Sequence, residues 1–198
     1  DYLRYASLDE SGIWSATLEE LEDGTYSITA VAGDYAGNIS AEPNAIVVTI
    51  DTTAPETGNW SLTNGSDTGL SSADSITSDT TPTFSGTTEA GAFVVLAGYL
   101  ISQNEVAPLG ATIADNAGGW SITATTAMAD ENYLVGSFIY DTAGNVNGVP
   151  SIIGVSIDTT APTLSSATLR TTTVSPNDTL VMSFDEGVGL GSGNIVVT

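Results

Sequence analysis

The sequence of 198 residues contains no cysteine and no histidine. Without cysteine no disulfide can hold the fold, and thiol usage gives no information about the redox compartment. The same two absences remove the usual catalytic nucleophile, the usual general base and the usual ligands of transition metals. Carboxylates are therefore the side chains left for acid-base chemistry or for binding a hard cation.

Basic side chains are nearly absent as well. Lysine does not occur, and Arg4 and Arg170 face 24 acidic residues, which gives a net charge of −22. Such a field repels nucleic acid and anionic lipid headgroups, so no nucleic-acid partner is expected. Two explanations for the charge stay open: hydration of the protein in a salty medium, and binding of divalent cations.

Long apolar runs are also missing. No stretch approaches the roughly 20 residues of a membrane span, and no signal peptide is visible, so we expect no direct membrane insertion. Asp1 stands where a complete chain would begin with methionine. We therefore expect the sequence to be an excerpt of a longer protein.

The residues that are abundant favour strands. Hydrophobic residues make up 41% of the chain, which is enough to build a core. Thr, Val, Ile, Tyr and Ser are frequent, and 21 Gly and 7 Pro punctuate the sequence. This composition favours pleated strands and tight turns over helices, and it predicts an all-β fold.

The sequence repeats itself. The stretch "WSATLEELEDGTYSITAVAGDYAGNIS…AIVVTIDTTAP" from Trp14 returns as "WSITATTAMADENYLVGSFIYDTAGNV…IIGVSIDTTAP" from Trp120. The offset is 107 positions (141 − 34) between Asp34 and Asp141 of the D-x-A-G-N segments. Both copies close on "IDTTAP", so we interpret this hexapeptide as the joint between repeated modules.

Each copy alternates with period two, which predicts half-buried antiparallel strands. Seven short strands in one module are typical of an immunoglobulin-like sandwich. Tyr133 occupies the position of a corner tyrosine, and Trp120 is expected to fill the centre. The predicted strands lie near 58–64, 81–87, 92–101, 109–114, 119–125, 132–140 and 151–157.

The predicted modules do not coincide with the ends of the sequence. Residues 1–50 are expected to hold the last four or so strands of one sandwich, 51–157 a complete sandwich, and 158–198 the opening strands of a third. Half a sandwich cannot bury its own face. We expect flanking residues to complete the halves. As an alternative, the last piece of one chain packs on the first piece of the next in a filament.

Residues 1–162 resemble a known family. The motifs are "DTTPTFSGTTEAGA", "GGWSI", "YLVGSFIYDTAGN" and "DTTAP", and they are similar to the bacterial Ig-like repeats of giant secreted adhesins and biofilm-associated proteins. The tail "SPNDTLVMSFDEGV…GSGNIVV" is more similar to Ig-like modules of surface-layer and other cell-surface proteins. The resemblance implies an extracellular stalk on a bacterial cell surface, often rigidified by calcium, without catalysis of its own, whose partners are neighbouring Ig-like domains of the same chain.

The acidic residues suggest where calcium would bind. In a sandwich of this order, alternate loops fall at the same end, so three loops should converge on the link that precedes the complete module. Calcium takes six to eight hard oxygens from carboxylates, amides and backbone carbonyls. The ligands predicted at this first junction are Asp51, Glu89, Asp115, Asp141 and Asn145.

Three further groups extend this prediction. At the second junction the predicted ligands are Asp158, Asp185 and Glu186. The corresponding groups of the first, incomplete module are Asp9 and Asp34, with Asn38 beside them. A separate cluster in the long polar loop "GSDTGLSSADSITSDTT" comprises Asp67, Asp74 and Asp79.

Simpler interpretations of the same residues stay open. The aspartate of "IDTTAP" can cap a turn, "DxAGN" can be no more than a good hairpin turn, and the long polar loop can be flexible. Glu20, Glu22 and Asp23 in "EELEDG" are interpreted as a solvated turn.

Two other classes of function compete with the stalk. A carbohydrate or host-surface binding module would use exposed aromatics, for which Trp60, Tyr99 and Tyr140 are the candidates. An enzyme could use paired carboxylates about 5 to 10 Å apart, but nothing here distinguishes an acid from a nucleophile. We therefore predict no enzymatic activity. A self-assembling filament or layer is a close relative of the stalk.

Overall fold

The computed structural model describes residue 6, residues 9–169 and residues 180–189, and the predicted all-β fold is confirmed there. The described residues form strands and no helix. The strands are β1 (Gly24–Ile28), β2 (Ile46–Ile50), β3 (Trp60–Leu62), β4 (Ile76–Thr77), β5 (Thr83–Thr87), β6 (Phe93–Leu100), β7 (Glu105–Ile113), β8 (Gly119–Thr123), β9 (Glu131–Tyr140), β10 (Ser151–Ile157), β11 (Leu164–Leu169) and β12 (Leu180–Phe184).

Strands β3 to β10 build a two-layer sandwich. One sheet has the order β3-β5-β8, and the other has the order β4-β10-β9-β6-β7. Neighbouring strands are antiparallel, except that β4 runs parallel to β10. Two packed sheets with hydrophobic inner faces are the immunoglobulin-like architecture that the strand count predicts.

Two elements differ from the prediction. Strand β4 has only 2 residues and lies in the polar loop, where its partner β10 rather than its own sequence makes it a strand. Strand β7 begins at Glu105, earlier than the predicted start at 109, because a bulge interrupts the alternation: Leu96 pairs with Gly110 and Ala97 with Pro108. Proline is tolerated there because β7 is the outer strand of its sheet.

The core centres on a pair of tryptophans, as predicted for Trp120. Trp60 and Trp120 have ring centroids 6.0 Å apart, and Phe84 meets the Trp60 ring edge-on at 6.1 Å. The backbone between the two indoles must be glycine. A Cβ on Gly86 would lie 2.4 Å from the Cβ of Trp60, so any side chain there displaces the packing.

The predicted corner tyrosine is confirmed in both copies. The hydroxyl of Tyr133 donates to the carbonyl of Ala129 at 3.2 Å and accepts from the amide of the same residue at 3.0 Å. In the first copy the hydroxyl of Tyr26 donates to the carbonyl of Glu22 at 2.8 Å. The same side chain therefore ties the same loop to its strand in each repeat.

Among the described residues of 1–50, β1 and β2 form a hairpin, and Gly33 and Ile39 form an isolated bridge. The prediction of four or so strands also covers residues 1–5, 7 and 8, which lie outside the described residues. Trp14 is 52% exposed, whereas its counterpart Trp120 is 6% exposed. Trp120 lies between the two sheets of a sandwich, whereas the described residues of 1–50 form a single hairpin, which leaves Trp14 uncovered.

The register fixes which loops share an end of the sandwich. Thr87 pairs with Gly119, and Phe93 pairs with both Ile113 and Tyr140. Three turns therefore lie together at the end of the sandwich where the chain enters from link 51–55. We call this the proximal end, and its turns are 88–92, 114–118 and 141–150. The loop 63–82, the turn 124–130 and link 158–162 lie at the opposite, distal end.

Candidate functional site: the two links between repeats

The aspartate of each link first caps its own turn. Asp51 accepts the amide of Thr53 on Oδ1 at 3.1 Å, and Asp158 accepts the amide of Thr160 on Oδ1 at 3.0 Å. Asp side chains commonly bond the backbone two residues further on and so stabilise a turn. Both links thus begin with the same capped turn.

The threonines of each link are held by an aspartate of the preceding repeat. Asp130 accepts the amide of Thr159 at 3.1 Å, its hydroxyl at 2.8 Å, and the hydroxyl of Thr160 at 3.0 Å. In the first copy, one oxygen of the Asp23 carboxylate accepts the Thr52 amide at 2.9 Å and the Thr52 hydroxyl at 2.7 Å. We call this arrangement the distal clamp.

The clamp is completed in the first copy by the hydroxyl of Thr53, which donates to the second oxygen of Asp23 at 2.7 Å. These donors stabilise the ionised carboxylates. The Thr52 hydroxyl, followed by the Thr53 hydroxyl, holds the pKa of Asp23 below its usual range, and the Thr159 hydroxyl does the same for the pKa of Asp130.

The sequence pattern does not predict the distal clamp. It indicates a solvated turn at Asp23, and Asp130 belongs to none of the predicted sites. A signal was present, because the two aspartates are separated by the same 107 positions (130 − 23) as the two links. It was hidden because a single aspartate in "LEDGTY" and in "MADENY" belongs to no recognisable motif.

At the proximal end, Asp141 builds the D-T-A-G-N turn. Its Oδ1 accepts the amides of Ala143, Gly144 and Asn145 at 2.9, 2.7 and 2.8 Å. The turn needs a left-handed residue, which Gly144 supplies with φ of 97°. Burial raises the pKa of Asp141, but the side chain of Asn145 and these amides outweigh it, so the net shift is downward.

Asn145 joins this turn to the first link. Its Nδ2 donates to Oδ2 of Asp141 at 2.7 Å and to the backbone carbonyl of Asp51 at 3.0 Å. The link is therefore attached on both sides: to the first repeat through the distal clamp and to the complete sandwich through Asn145.

The other predicted ligands of the first junction share the proximal end without forming one cluster. Oδ1 of Asp115 accepts hydrogen bonds from the amides of Ala117 and Gly119, both at 2.8 Å. Glu89 is exposed beside a shallow cleft that Glu56 also lines. Among the described residues, no three acidic, histidine or cysteine side chains come close enough to hold a metal ion. Asp51, Asp115 and Asp141 each accept amides of their own turn, which keeps these three carboxylates apart.

The first copy repeats this turn chemistry. Asp34 accepts the amides of Ala36 and Asn38 on Oδ1 at 2.9 and 2.8 Å, and Asn38 Nδ2 donates to Oδ2 at 2.7 Å. Asp9 accepts the amide of Ser11 at 2.8 Å, as Asp115 does with Ala117. The predicted ligands of this copy thus have a structural role in building turns.

The second junction brings acidic groups together. The amide of Thr163 donates to Asp185 at 2.8 Å, and its hydroxyl donates to the other oxygen of the same carboxylate. Oε1 of Glu186 is buried and has no hydrogen-bond partner. Burial, and then the charges of Asp158 and Asp185, raise the pKa of Glu186. Asp158 and Glu186 line the same cavity of about 370 Å³.

The polar loop 66–80 forms another wall of this cavity. Asp67 is 5% exposed; its Oδ2 accepts the amide of Ser75 at 3.2 Å, and its Oδ1 is buried without a partner. Asp79 accepts the hydroxyl of Ser66 at 2.8 Å, and Asp74 caps its own turn. The three aspartates therefore order the loop, each at a different place.

Comparison with known proteins agrees with the repeat. The model of the bacterial Ig-like domain family matches residues 2–52 and again 53–159. The chain belongs to the bacterial Ig-like domain family. Chitinase A1 of Niallia circulans is 31% identical over 160 residues, which is 79% of this chain and 21% of that protein. The chain therefore spans about a fifth of the length of that relative.

A solved structure of a tetra-tandem repeat in the extending region of a large adhesion protein is similar at a TM-score of 0.45 and 22% identity, covering 90% of this chain and 50% of that one. In this Ig-like chain, no helix among the described residues is long and apolar enough to cross a membrane.

The aromatic candidates for a carbohydrate platform do not lie together on the surface of the Ig-like sandwich. Trp60 is in the core. Tyr99 is half-buried, and its hydroxyl donates to Oδ1 of Asn104 at 2.7 Å. Tyr140 is exposed and packs beside Phe93 with ring centroids 6.4 Å apart. Of the three predicted residues, Trp60 is wrong for this role because the two sheets close over it.

Proposed function

We propose that the chain is an extender segment of a large secreted bacterial cell-surface adhesin. Three successive Ig-like pieces, 1–50, 51–157 and 158–198, would follow one another along the stalk. The observation that carries this proposal is the distal clamp, which recurs with the same donors on both links. The preceding repeat holds its outgoing link in the same way in both copies, which would give a repeated spacer a regular exit from each module.

We further propose that calcium stiffens the second link. Asp158 and Glu186 would hold the ion, with Asp185 next to them. The support is chemical: Glu186 has an oxygen without a partner, and its pKa is raised in the presence of two neighbouring carboxylates. A divalent cation would neutralise this repulsion and satisfy the free oxygen. At the first link Asn145 already bridges the two sides, so less is left for a cation to do.

Calorimetric titration of the chain with calcium tests this part of the proposal. The unmodified chain should bind calcium, Glu186→Gln should lose most of that heat, and Glu89→Gln at the first link should keep it. Removing calcium with a chelator should also widen the distribution of angles at the second link, measured by small-angle X-ray scattering. Absence of calcium binding, or binding that survives Glu186→Gln, would contradict it while leaving the extender role intact.

The extender role has its own test. Chains with both clamps weakened, Asp23→Ala together with Asp130→Ala, should become more compact on average in scattering because the modules are free to fold back on each other. Melting of the central sandwich should stay where it was. If the maximum dimension is unchanged, the clamp does not set the direction of the stalk, and the proposed role loses its main support.

A further inference from the structure

Three dipeptides in the sequence place an aspartate or an asparagine directly before a glycine: Asp23-Gly24, Asn64-Gly65 and Asn147-Gly148. In such a pair the glycine nitrogen can attack the side-chain carbonyl carbon of the preceding residue, because glycine has no Cβ to hinder the approach. Asparagine is among the thermolabile residues of proteins. The surroundings of the three pairs in the fold differ, and the difference decides which of them can react.

Asn64 and Gly65 form the exposed tip of a turn. The turn is closed around them, since the amides of Ser66 and Asp67 both donate to the carbonyl of Thr63 at 2.9 Å. Among the residues that the structure describes, neither the Asn64 side chain nor the Gly65 amide takes part in a hydrogen bond. Both reacting groups are therefore free: the carboxamide can rotate towards the next nitrogen, and that nitrogen gives up no acceptor.

The turn does not need a glycine at position 65. The φ of Gly65 is not in the left-handed region, and a Cβ built on this residue would meet nothing within 4 Å. Gly144, in contrast, supplies a φ of 97° that its turn requires. Glycine at 65 thus keeps the approach to Asn64 open without contributing to the geometry of the turn.

The pair Asn147-Gly148 has the same chemistry but is held in place. Oδ1 of Asn147 accepts the amide of Ile139 at 2.8 Å, and its Nδ2 donates to the carbonyl of Val149 at 3.1 Å. The main-chain amide of Asn147 also donates to the carbonyl of Ile139 at 3.2 Å. The carboxamide would have to break both side-chain bonds before it could turn towards the nitrogen of Gly148. The native fold therefore protects this pair.

The distal clamp protects the pair Asp23-Gly24. Both oxygens of the Asp23 carboxylate accept hydrogen bonds from Thr52 and Thr53. Ring closure at an aspartate requires a neutral carboxyl group that can lose water, and these donors stabilise the ionised form instead. Of the three pairs, only Asn64-Gly65 combines exposure with free reacting groups.

We propose that Asn64 is a site of spontaneous deamidation in the native chain. The Gly65 nitrogen gives its proton to hydroxide or water and bonds to Cγ of Asn64, while the bond from Cγ to Nδ2 breaks and Nδ2 leaves as ammonia with a proton from water. Water then adds to one of the two carbonyl carbons of the succinimide ring, and the bond from that carbon to the ring nitrogen breaks. Opening at Cγ gives aspartate, and opening at the main-chain carbonyl carbon gives isoaspartate.

Either product changes the distal end of the sandwich. Both add a carboxylate to the turn that contains Asp67, whose Oδ1 is already buried without a partner. Isoaspartate also inserts its side-chain carbon into the main chain within this turn. The turn is connected to its surroundings through Ser66, whose hydroxyl donates to Asp79 at 2.8 Å and accepts the amide of Thr83 at 2.9 Å. Conversion to isoaspartate should therefore loosen loop 63–82. This ageing reaction goes beyond the extender role and does not depend on it.

Two-dimensional NMR of the isotope-labelled chain follows every asparagine side-chain amide during incubation in mildly alkaline buffer. In the native chain the Asn64 signal should disappear while the Asn147 signal persists. In the same buffer with urea, both should disappear at similar rates, because unfolding removes the bonds that hold Asn147. Mass spectrometry then identifies aspartate and isoaspartate at position 64.

Two alanine variants provide the matched comparison. Gly65→Ala should slow the loss of the Asn64 signal at least about fivefold, because alanine has less backbone freedom than glycine. The turn itself has room for the added Cβ. Gly148→Ala, at the protected pair, should leave the rate at Asn64 unchanged. In the aged chain the amide of Ser66 should exchange faster than in Asn64→Asp, which adds the charge without lengthening the main chain.

An Asn64 signal that persists in native buffer after it has disappeared in urea overturns the proposal. So does loss of Asn147 as fast as Asn64 in the native chain, because the fold would then not select the site. Both readouts use the unmodified chain and do not depend on the folding of a variant. An unchanged rate in Gly65→Ala would exclude the succinimide route, whereas selective loss of Asn64 that is slowed by Gly65→Ala supports the proposal.

Discussion

The two links have the same sequence and the same attachment to the repeat that precedes them, but they meet the following module in different ways. On the distal side Asp23 and Asp130 hold the link threonines with the same donors. On the side of the following module, the first link meets Asn145, a neutral donor, whereas the second meets Glu186, an acid whose Oε1 is buried without a hydrogen-bond partner. Each repeat therefore holds the link that follows it in the same way. The contacts on the other side of the link depend on the module that comes next.

Removing the clamp should have the largest effect, and it should act on one link at a time. Asp130→Ala leaves the amide and hydroxyl of Thr159 and the hydroxyl of Thr160 without their acceptor. Amide exchange at Thr159 should accelerate on the order of tenfold or more, since exposed segments held by few bonds open easily. Hydrogen exchange followed by NMR measures this residue by residue.

The control for this prediction lies within the chain. Amide exchange at Thr52, clamped by Asp23, should stay as it was in Asp130→Ala, and the reverse variant Asp23→Ala should show the opposite pattern. Thr160→Ser keeps the hydroxyl and should be nearly silent. Equal exchange at Thr159 with and without Asp130 would mean that the clamp adds nothing to the order of the link.

Removing the hydrogen bond between the first link and the sandwich that follows it should have a smaller effect, confined to the first link. Asn145→Ala removes the bond to the carbonyl of Asp51 together with one bond inside the D-T-A-G-N turn. Asn38→Ala removes the same intra-turn bond in the first copy, where no link is attached among the described residues. The difference in effect between the two variants therefore reports the hydrogen bond from Asn145 to the carbonyl of Asp51.

NMR relaxation of the link amides provides the measurement. We expect increased mobility at Asp51 and Thr53 in Asn145→Ala and unchanged mobility at the second link. If Asn145→Ala and Asn38→Ala disturb only their own turns, and to the same extent, the bond to Asp51 does not hold the first link, and the two links do not differ through Asn145.

Sequence reasoning succeeded where burial leaves a regular pattern. The period-two alternation predicts half-buried strands, and in β9 Tyr133, Val135 and Ile139, which share one face, are all buried. It missed β4 because a strand of 2 residues in a polar loop has no period of its own. The bulge at Pro108 likewise conceals the start of β7.

The candidate site was predictable in position but not in chemistry. Alternating loops correctly brought Asp115 and Asp141 to the proximal end. Whether a carboxylate is free to bind a cation depends on how many backbone amides reach it, and residue type does not report this. Asp141 accepts three amides of its own turn, whereas Oε1 of Glu186 is buried without a hydrogen-bond partner.

Acidification should produce the smallest of the expected differences between the two links. Hydrogen bonds from Thr52 and Thr159 depress the pKa of Asp23 and Asp130, so the stabilisation by both clamps is present above the ordinary aspartate value and is lost as pH falls through the depressed one. Glu186 behaves oppositely. Its raised pKa means that ionisation opposes the native second junction, and this opposition disappears as pH falls below the raised value towards the ordinary 4.5.

Between the raised pKa of Glu186 and the depressed pKa of the clamps, mild acidification in calcium-free buffer should therefore order the second link slightly while leaving the first unchanged. Chemical-shift and exchange measurements at Thr160 and Thr53 across this window make the comparison directly. Glu186→Gln, which cannot ionise, should show the ordered second link at neutral pH and no further gain in acid. If both links of the unmodified chain respond to pH in the same way, the neutral Asn145 and the acidic Glu186 do not make the links different.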